Sequence, residues 1–599
     1  MALDRFTRYF SREQWLSIKR NRRLIYCTVV INMGALLLGY DSGIAGAIIP
    51  LRAFKHDMKI DGTRTAVATV NSNVVSILFG GAFFGSIITS FLSYYLGRRP
   101  ALLYSMVLFM LGGALQTAAK DLQWIYAGRF VSGLAVGATS LISPYYIAEI
   151  SPTNQRARTV GAFQAFLVAG SLLAYWVTYG CDLQFHPTMR VHNPPPGTNT
   201  TSTTDPGSPA DPATTHVDFH SAQWRVPMGL QLLPGVLFTV LMLGVRESPR
   251  WLASKDRKDE AIQTLAWVRC VDLDNPEDTK DTESASSTKE KLETPSEEAG
   301  NPGIRPLSGN NGINPSPGLR SGLALSMSPK IAAIHEEYAG IQAQLDETRG
   351  ARLRELFSNR ANIKRFVVST YVAVFHIWVF HTGILYYAPT VFKSVGISDT
   401  TSALLASGVF GAVKFVSTVL ALTFTVNRWG RVSGMAVGTG IHAILFFIIG
   451  AILKTRPPQP GPIAASSIAM LAMIYLYVIV YSFGMGPLPW VYSSEIYPLR
   501  IRELGQMWFT ALTWACNFAT SRVTPILFVK LEWKTWMFFA ALNGGGALIC
   551  WLICPETKGL SMEELDILFG AVSAEQRAAD IERVLQGQGD GSRLNALQR

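Results

Sequence analysis

Charge is scarce in this 599-residue chain: only 16% of its residues are Asp, Glu, Lys or Arg, whereas 49% are apolar, and mean hydropathy is +0.22. Globular domains carry about 25% charged residues, so a string of water-soluble domains is excluded. Cysteine is scarcer still. Four of the six (Cys27, Cys516, Cys550, Cys554) fall inside apolar runs and the other two, Cys181 and Cys270, stand apart, so no disulfide framework is expected. The chain also lacks a metal-spaced His/Cys cluster, a phosphate-binding glycine loop and a nucleophile signature, which argues against an enzyme and against any cofactor. No nucleic-acid module accompanies the net charge of +11. That excess fits the anionic lipids of an inner membrane leaflet.

What the chain has instead is about twelve apolar runs of about 18 residues or more, the first near Leu24–Ile49 and the last near Trp536–Cys554, each long enough to cross ~30 Å of hydrocarbon. Each is expected to be helical, because backbone in lipid must satisfy its own N–H and C=O groups. The basic opening (Arg5, Arg8, Arg12, Lys19, Arg20, Arg22, Arg23) leads into a run too long for a cleavable signal, so the first span is read as the insertion signal. Retention of that basic segment places both termini in the cytoplasm. Arg98, Arg99, Arg156, Arg158, Arg428, Arg431, Arg500 and Arg502 then fall inside, and the long loop 181–223, with Arg190 alone, falls outside. Arg52, Lys55, Lys59 and Arg64 in the first outer loop run against this bias. The sequon Asn199-Thr200-Thr201 lies in the long outer loop and predicts glycosylation at Asn199.

The expected organisation is a cytoplasmic N-terminus (1–23), a six-helix bundle (24–246), a cytoplasmic linker (247–365), a second six-helix bundle (366–554) and a cytoplasmic tail (555–599). Within the linker, 272–328 is rich in Ser, Pro, Gly, Asp and Glu and is expected to be disordered. Lys255–Arg269 and Pro329–Leu356 read as amphipathic helices, and the tail offers a short helix at Ser561–Phe569.

The two bundles repeat each other. Gly97-Arg98-Arg99 follows the second span and Gly430-Arg431 the eighth. Glu149-Ile150-Ser151-Pro152 ends the fourth span with Arg156 seven residues after its Glu; Glu495-Ile496-Tyr497-Pro498 ends the tenth with Arg502 at the same offset. Glu247-Ser248-Pro249-Arg250 follows the sixth, and Pro555-Glu556-Thr557-Lys558-Gly559 the twelfth. Charge-assisted bonds among Arg98, Arg99, Glu149, Arg156, Glu247, Arg250, Arg431, Glu495, Arg502 and Glu556 are read as two cytoplasmic latches that break when the inner side opens. Static pairs that merely fix topology are the alternative.

With Gly128-Arg129-Phe130, Trp251-Leu252 and Gly486-Pro487-Leu488-Pro489-Trp490, these motifs resemble the sugar porter family of the major facilitator superfamily across all twelve spans. Tyr386-Tyr387-Ala388-Pro389, Val413-Lys414 and the long central loop look most like fungal sugar and quinate permeases. The resemblance implies an all-α membrane protein, two six-helix pseudo-repeats around a midplane site, and transport by rocking of the bundles. The family's paired Gln on the seventh span are here His376 and Ile377, its Asn there is Thr382, and its Asn on the eighth span is Phe415. Recognition other than the typical hexose mode is therefore expected. Tyr94 and Asn427 replace an Asp three residues before each loop glycine, which predicts looser latches.

Asp41 and Arg129 lie at the same depth of the first and fourth spans, at ~1.5 Å rise per residue. They read as an ion pair, and similarity to proton-coupled members assigns that pair to coupling; a permanent brace in a facilitator is the alternative. Gln164, Trp490, Trp514 and Asn517 match family positions facing the substrate, and amide and indole groups suit hydroxyl-rich ligands. Lys414 and His376 are deep in their spans and are expected to line a wet cavity, where a cation favours an acidic substrate such as quinate. The expected function is therefore a monomeric secondary transporter, in contact with membrane lipids and resident in the plasma membrane. It moves a small polyhydroxylated solute by proton symport; a uniport facilitator or a non-transporting nutrient sensor of the same fold is the alternative.

Overall fold

The computed structural model describes residues 21–185, 188–191, 215–271, 329–348, 352–397, 399–424, 429–459, 463–560 and 562–570. Asn199, Asn427, Arg428, the acidic and Ser-rich stretch 272–328 and the tail beyond 570 lie outside these residues. Two compact units divide the chain, one of Met1–Cys27 with Arg246–Asp346, the other of Thr28–Val245 with Glu347–Arg599.

The larger unit holds two sets of long helices. The first set is Arg22–Ile48, which begins in the smaller unit, Arg64–Leu96, Arg98–Thr117, Leu122–Ile150, Thr153–Gln184 and Ala222–Met242; the second is Arg360–Tyr386, Thr400–Phe424, Arg431–Thr455, Ala465–Glu495, Arg502–Leu531 and Lys534–Ile553. Eleven are long and apolar enough to cross a membrane. The remaining one, Arg502–Leu531, has 30 residues but buries Gln506, Thr510, Thr513, Asn517, Thr520, Ser521 and Thr524. Its lower apolarity belongs to a helix that turns polar side chains inward, and it completes the twelve.

Sidedness of the helices is reversed relative to a water-soluble fold. The second span leaves Phe84, Ile88 and Phe91 exposed at helical spacing and buries Ser72, Ser76, Ser86 and Thr89. Lipid therefore meets the apolar face, and polar groups meet one another. Lipid tails are as apolar as leucine, so close packing rather than hydrophobicity must join the helices, and small residues permit it. Gly81 on the second span meets Gly133 on the fourth and Gly85 meets the Leu134 backbone, and a Cβ on Gly137 would land on the Ala82 carbonyl and the Ser86 nitrogen. Between the two sets, the second span packs on the eleventh and the fifth on the eighth.

Three spans depart from single unbroken helices. The sixth is formed by Ala222–Leu230 and Leu232–Met242, the seventh by Arg360–Trp378 and His381–Tyr386, and the tenth by Ala465–Phe483 and Leu488–Glu495 across a turn at Gly484–Pro487. The long outer loop contains an antiparallel pair, β1 (Thr188–Val191) and β2 (Thr215–Asp218), with Met189 opposite Val217, strands that the all-helical expectation did not include.

In the smaller unit, helices Pro249–Ser254, Lys258–Arg269 and Pro329–Thr348 share small apolar clusters. Trp251, Leu252, Ala253 and Ala261 meet Tyr338, Ile341 and Leu345, and Ile334 meets Ile262, Leu265 and Ala266. Arg269 pairs with Glu337 at 2.5 Å. The helix expected from Lys255 starts only at Lys258, because Asp256 takes a left-handed φ of 59°. The helix expected to run to Leu356 stops at Thr348, and Leu353–Phe357 is a separate 3-10 turn.

The glycine contact between the second and fourth spans gives a direct test. Gly137→Leu forces backbone apart and is expected to cost about 1–3 kcal/mol, read as a lower thermal unfolding midpoint in detergent. Gly545→Leu, at a position with open space around the Cβ, is expected to leave the midpoint unchanged.

Candidate substrate and coupling site

Asp41 and Arg129 are both fully buried, and Arg129 Nη1 donates to Asp41 Oδ1 at 2.6 Å and to the Asp41 carbonyl at 3.0 Å. Arg129 Nε donates to the Val74 carbonyl at 3.0 Å, which ties the pair to the second span as well. Asp41 Oδ2 and Arg129 Nη2 have no hydrogen-bond partner. The pair is thus held by one strong contact and leaves one acceptor and one donor unused, an arrangement far from the fully satisfied geometry that a buried ion pair needs for stability alone.

In the second bundle the polar residues gather where the seventh and tenth spans break. Phe380 adopts φ 72°, a strained left-handed conformation for a side chain of this size. Its ring is fixed among Phe446, Phe528, Trp536 and Phe539, with the Phe539 ring stacked at 4.0 Å. This anchor ends the first half of the seventh span and starts a new helix at His381. Thr382 Oγ1 then donates to Asn517 Oδ1 at 2.7 Å, and Asn517 Nδ2 donates to the Thr513 carbonyl. His381 lies flat against Tyr481, centroids 3.8 Å apart, and accepts or donates at 3.0 Å with Lys414 Nζ. His376 meets the edge of Trp490 at 6.0 Å, and Trp490 packs on Phe509.

Trp514 joins the two bundles: its Nε1 donates to Ser140 Oγ at 3.0 Å, and its ring stacks on Phe79, which also touches Tyr386. The structure therefore brings Thr382 to Asn517, His376 to Trp490 and Trp514 to the first bundle. Gln164 is half-buried on the fifth span and Lys414 is 1% exposed. His381, Tyr481, Ser140 and Phe79 were missed by sequence reasoning. A mid-span lysine needs an acceptor, and the histidine five residues beyond His376 was the available signal.

At the arginine-bearing end, each glutamate takes the arginine of the loop motif. Arg98 grips Glu149 through Nε at 3.2 Å and Nη2 at 2.9 Å. Arg431 grips Glu495 through Nε at 3.4 Å and Nη2 at 2.9 Å. Arg502 donates to the Tyr497 carbonyl, Arg99 to the Leu243 carbonyl, and Arg156 is exposed. A planar fork reaching across from the neighbouring helix matches both carboxylate oxygens. Glu247 accepts from the Ser248 backbone N–H, and Arg250 Nε has no hydrogen-bond partner.

Glu556 plays a different part. Its carboxylate accepts from the backbone N–H groups of Arg431 (2.6 Å), Val432 (3.1 Å) and Ser433 (3.2 Å), and so caps the ninth span at its positive end. Burial pushes this carboxyl up, but the N–H groups of Ser433, Arg431, Lys558 and Thr557 together hold it below the usual range. The tail helix Met562–Phe569 docks on the seventh span through Arg365, paired with Asp566 at 2.5 Å.

Both ends differ in how the bundles meet. Opposite the arginines, Tyr175 donates to the Leu385 carbonyl, and the buried Asp182 accepts from Gln223 Nε2 at 2.8 Å and Thr401 Oγ1 at 2.7 Å. At the arginine end a cavity lies between second, fourth and eleventh spans, with Ser90, Ser93, Arg98, Tyr145, Glu503 and Met507 on its walls.

The family profile described as Sugar (and other) transporter matches residues 27–301 and 322–569. The chain belongs to the sugar transporter family. It is a membrane transporter and not an enzyme. A probable quinate permease of Neosartorya fischeri is 28% identical over 563 residues, covering 92% of this chain and 88% of that protein, and a quinate permease of Neurospora africana is 29% identical over 566 residues, covering 92% and 90%. Among solved structures, the proton:xylose symporter XylE bound to 6-bromo-6-deoxy-D-glucose aligns with a TM-score of 0.64 and 23% identity, over 92% of this chain and 99% of that one. The E. coli xylose transporter XylE in a partially occluded inward-open conformation aligns with a TM-score of 0.64 and 22% identity, over 90% and 100%. The major facilitator fold, twelve helices in two bundles, follows from these.

The Glu556 cap of this transporter can be read by titration. Because its carboxyl is held below the ordinary Glu value of about 4.3, its stabilisation is present above that value and is lost as pH falls through the depressed one. Thermal midpoints of wild type and Glu556→Gln are expected to differ at pH 7 and to converge only as pH falls through that depressed value.

Proposed function

We propose that this transporter moves a small polyhydroxylated solute (a sugar, polyol or quinate-like acid) by proton symport with alternating access. The observation that carries the reading is the buried Asp41–Arg129 pair, with one carboxylate oxygen and one guanidinium nitrogen left unsatisfied. A carboxylate in hydrocarbon is tolerated beside its cation, and a conformational change that separates them favours uptake of a proton by the free carboxylate. Support for the solute class comes from the quinate permeases and the xylose symporter named above, and from the amide, hydroxyl and indole groups of Gln164, Thr382, Asn517, Trp490 and Trp514. Gln164, Thr382, His376, Lys414, Trp490, Trp514 and Asn517 are assigned to the solute.

Opposite the arginine end the bundles are bridged by Tyr175 and Asp182. The arginine end is assigned to the cytoplasm, with both termini there and with a glycosylated Asn199 outside in the plasma membrane. Arg98–Glu149 and Arg431–Glu495 act as latches within each bundle; Arg99, Arg156, Arg502 and Glu556 are assigned to the same role. The protein works as a monomer within membrane lipid.

In proteoliposomes with an inward proton gradient, wild type is expected to concentrate its solute. Asp41→Asn is expected to abolish accumulation while sparing solute exchange. Undiminished accumulation by Asp41→Asn defeats the coupling assignment and leaves a facilitator; binding without any flux in wild type leaves a nutrient sensor.

A further inference from the structure

One buried charge has no role in the coupling pair. Lys414 lies in the middle of the eighth span, Thr400–Phe424, and is 1% exposed. Roughly 15 Å of helix, at ~1.5 Å per residue, separates it from Phe424, further than a lysine stem reaches, so its ammonium cannot snorkel to the interface. Among the described residues no carboxylate pairs with it; its partner is the Nε2 atom of His381 at 3.0 Å. A bilayer-embedded cation held only by a neutral acceptor is costly until a counter-charge arrives.

The partner histidine narrows what that counter-charge is. An ammonium has donors only, so Nε2 must accept, and the neutral ring then carries its proton on Nδ1. That Nδ1 is buried and has no hydrogen-bond partner, and the same holds for Nδ1 of His376 one helical segment earlier. Orientation is imposed from two sides: the His381 ring is stacked on Tyr481 with an interplanar angle of 8°, and the left-handed Phe380 fixes the backbone immediately ahead of it. Lys414 thus keeps two N–H donors unused beside an unused imidazole N–H. Paired, charge-assisted donors of this kind suit a planar oxyanion better than a hydroxyl, which offers no charge to offset the ammonium.

We propose that Lys414 and His381 form the carboxylate-selecting element of the transporter, with His381 as the positioning residue that aims the ammonium, so that the preferred solute is a polyhydroxylated monocarboxylate rather than its neutral analogue. The inference rests on the transport reading above. Thr382, next to His381 in sequence and bonded to Asn517, supplies hydroxyl and amide groups of the kind that ring hydroxyls bond.

The test uses full-length protein in proteoliposomes, labelled quinate uptake, and competition by unlabelled quinate or by quinate methyl ester, which keeps every ring hydroxyl and loses the charge. Wild type is expected to prefer the acid over the ester by roughly tenfold or more, the range of one charge-assisted bond. In His381→Phe, which keeps the stack on Tyr481, and in Lys414→Met, the preference is expected to fall to near one, with KM for quinate raised more than kcat is lowered. His381→Gln, which restores an acceptor, is expected to recover most of it. Equal discrimination in wild type and His381→Phe overturns the pairing. If His381→Phe does not reach the membrane, equal discrimination in His381→Gln and Lys414→Met overturns it instead. A wild type that carries neutral polyols but neither carries nor is inhibited by quinate overturns the dyad and leaves the transport reading standing. A wild type that carries nothing overturns both.

Discussion

The hydrocarbon core offers no water to an N–H, a C=O or a charge, and every polar group that enters it must find its partner within the protein. That constraint orders the whole molecule. It makes the spans helical, turns serines and threonines of the second span inward and phenylalanines outward, and draws backbones together at glycine. It also makes each irregularity expensive enough to require a support. The left-handed Phe380 persists because an aromatic cage from the ninth, eleventh and twelfth spans holds it, and the break it imposes is what delivers His381 and Thr382 to the interior.

The two bundles use charge differently. In the first, opposite charges meet inside one ion pair, Asp41 with Arg129. In the second, an ammonium is held by an imidazole, and amide and hydroxyl groups are bonded to one another. At mid-span a division of labour follows: the charge of Arg129 is met by Asp41, whereas among the described residues that of Lys414 meets only an imidazole. The interfaces between the halves differ as well. Tightly interlocked glycines join the second and fourth spans within a bundle, whereas side-chain hydrogen bonds such as Trp514 to Ser140 and Thr401 to Asp182 join the bundles to each other. Side-chain bonds exchange at lower cost than interpenetrated backbones separate, so rigid halves and a yielding seam are a consequence of composition.

Much of this was legible in the sequence. Twelve apolar runs, the doubled loop motifs and the matched depth of Asp41 and Arg129 gave the architecture and one ion pair, because helical rise and bilayer thickness convert residue number into height. What was not legible depends on lateral neighbours. That Arg98 and Arg431 reach Glu149 and Glu495 from a neighbouring helix was not specified by spacing, which says nothing about which helix stands alongside. His381 went unread because its role is defined by a lysine on another helix. The polar eleventh span was still recognisable as a helix, though its composition weakens the hydropathy signal that marks the others.

Glu556 has one more implication, for the order of biosynthesis. It follows the last span, yet it is the group that satisfies the exposed backbone donors at the start of the ninth. During translation the ninth span must therefore wait, uncapped, until more than a hundred later residues have emerged and the final helix has entered the bilayer. The second bundle locks only once its sixth helix is in place, and a ribosome that stops short of Glu556 leaves behind a bundle whose closing clasp was never made.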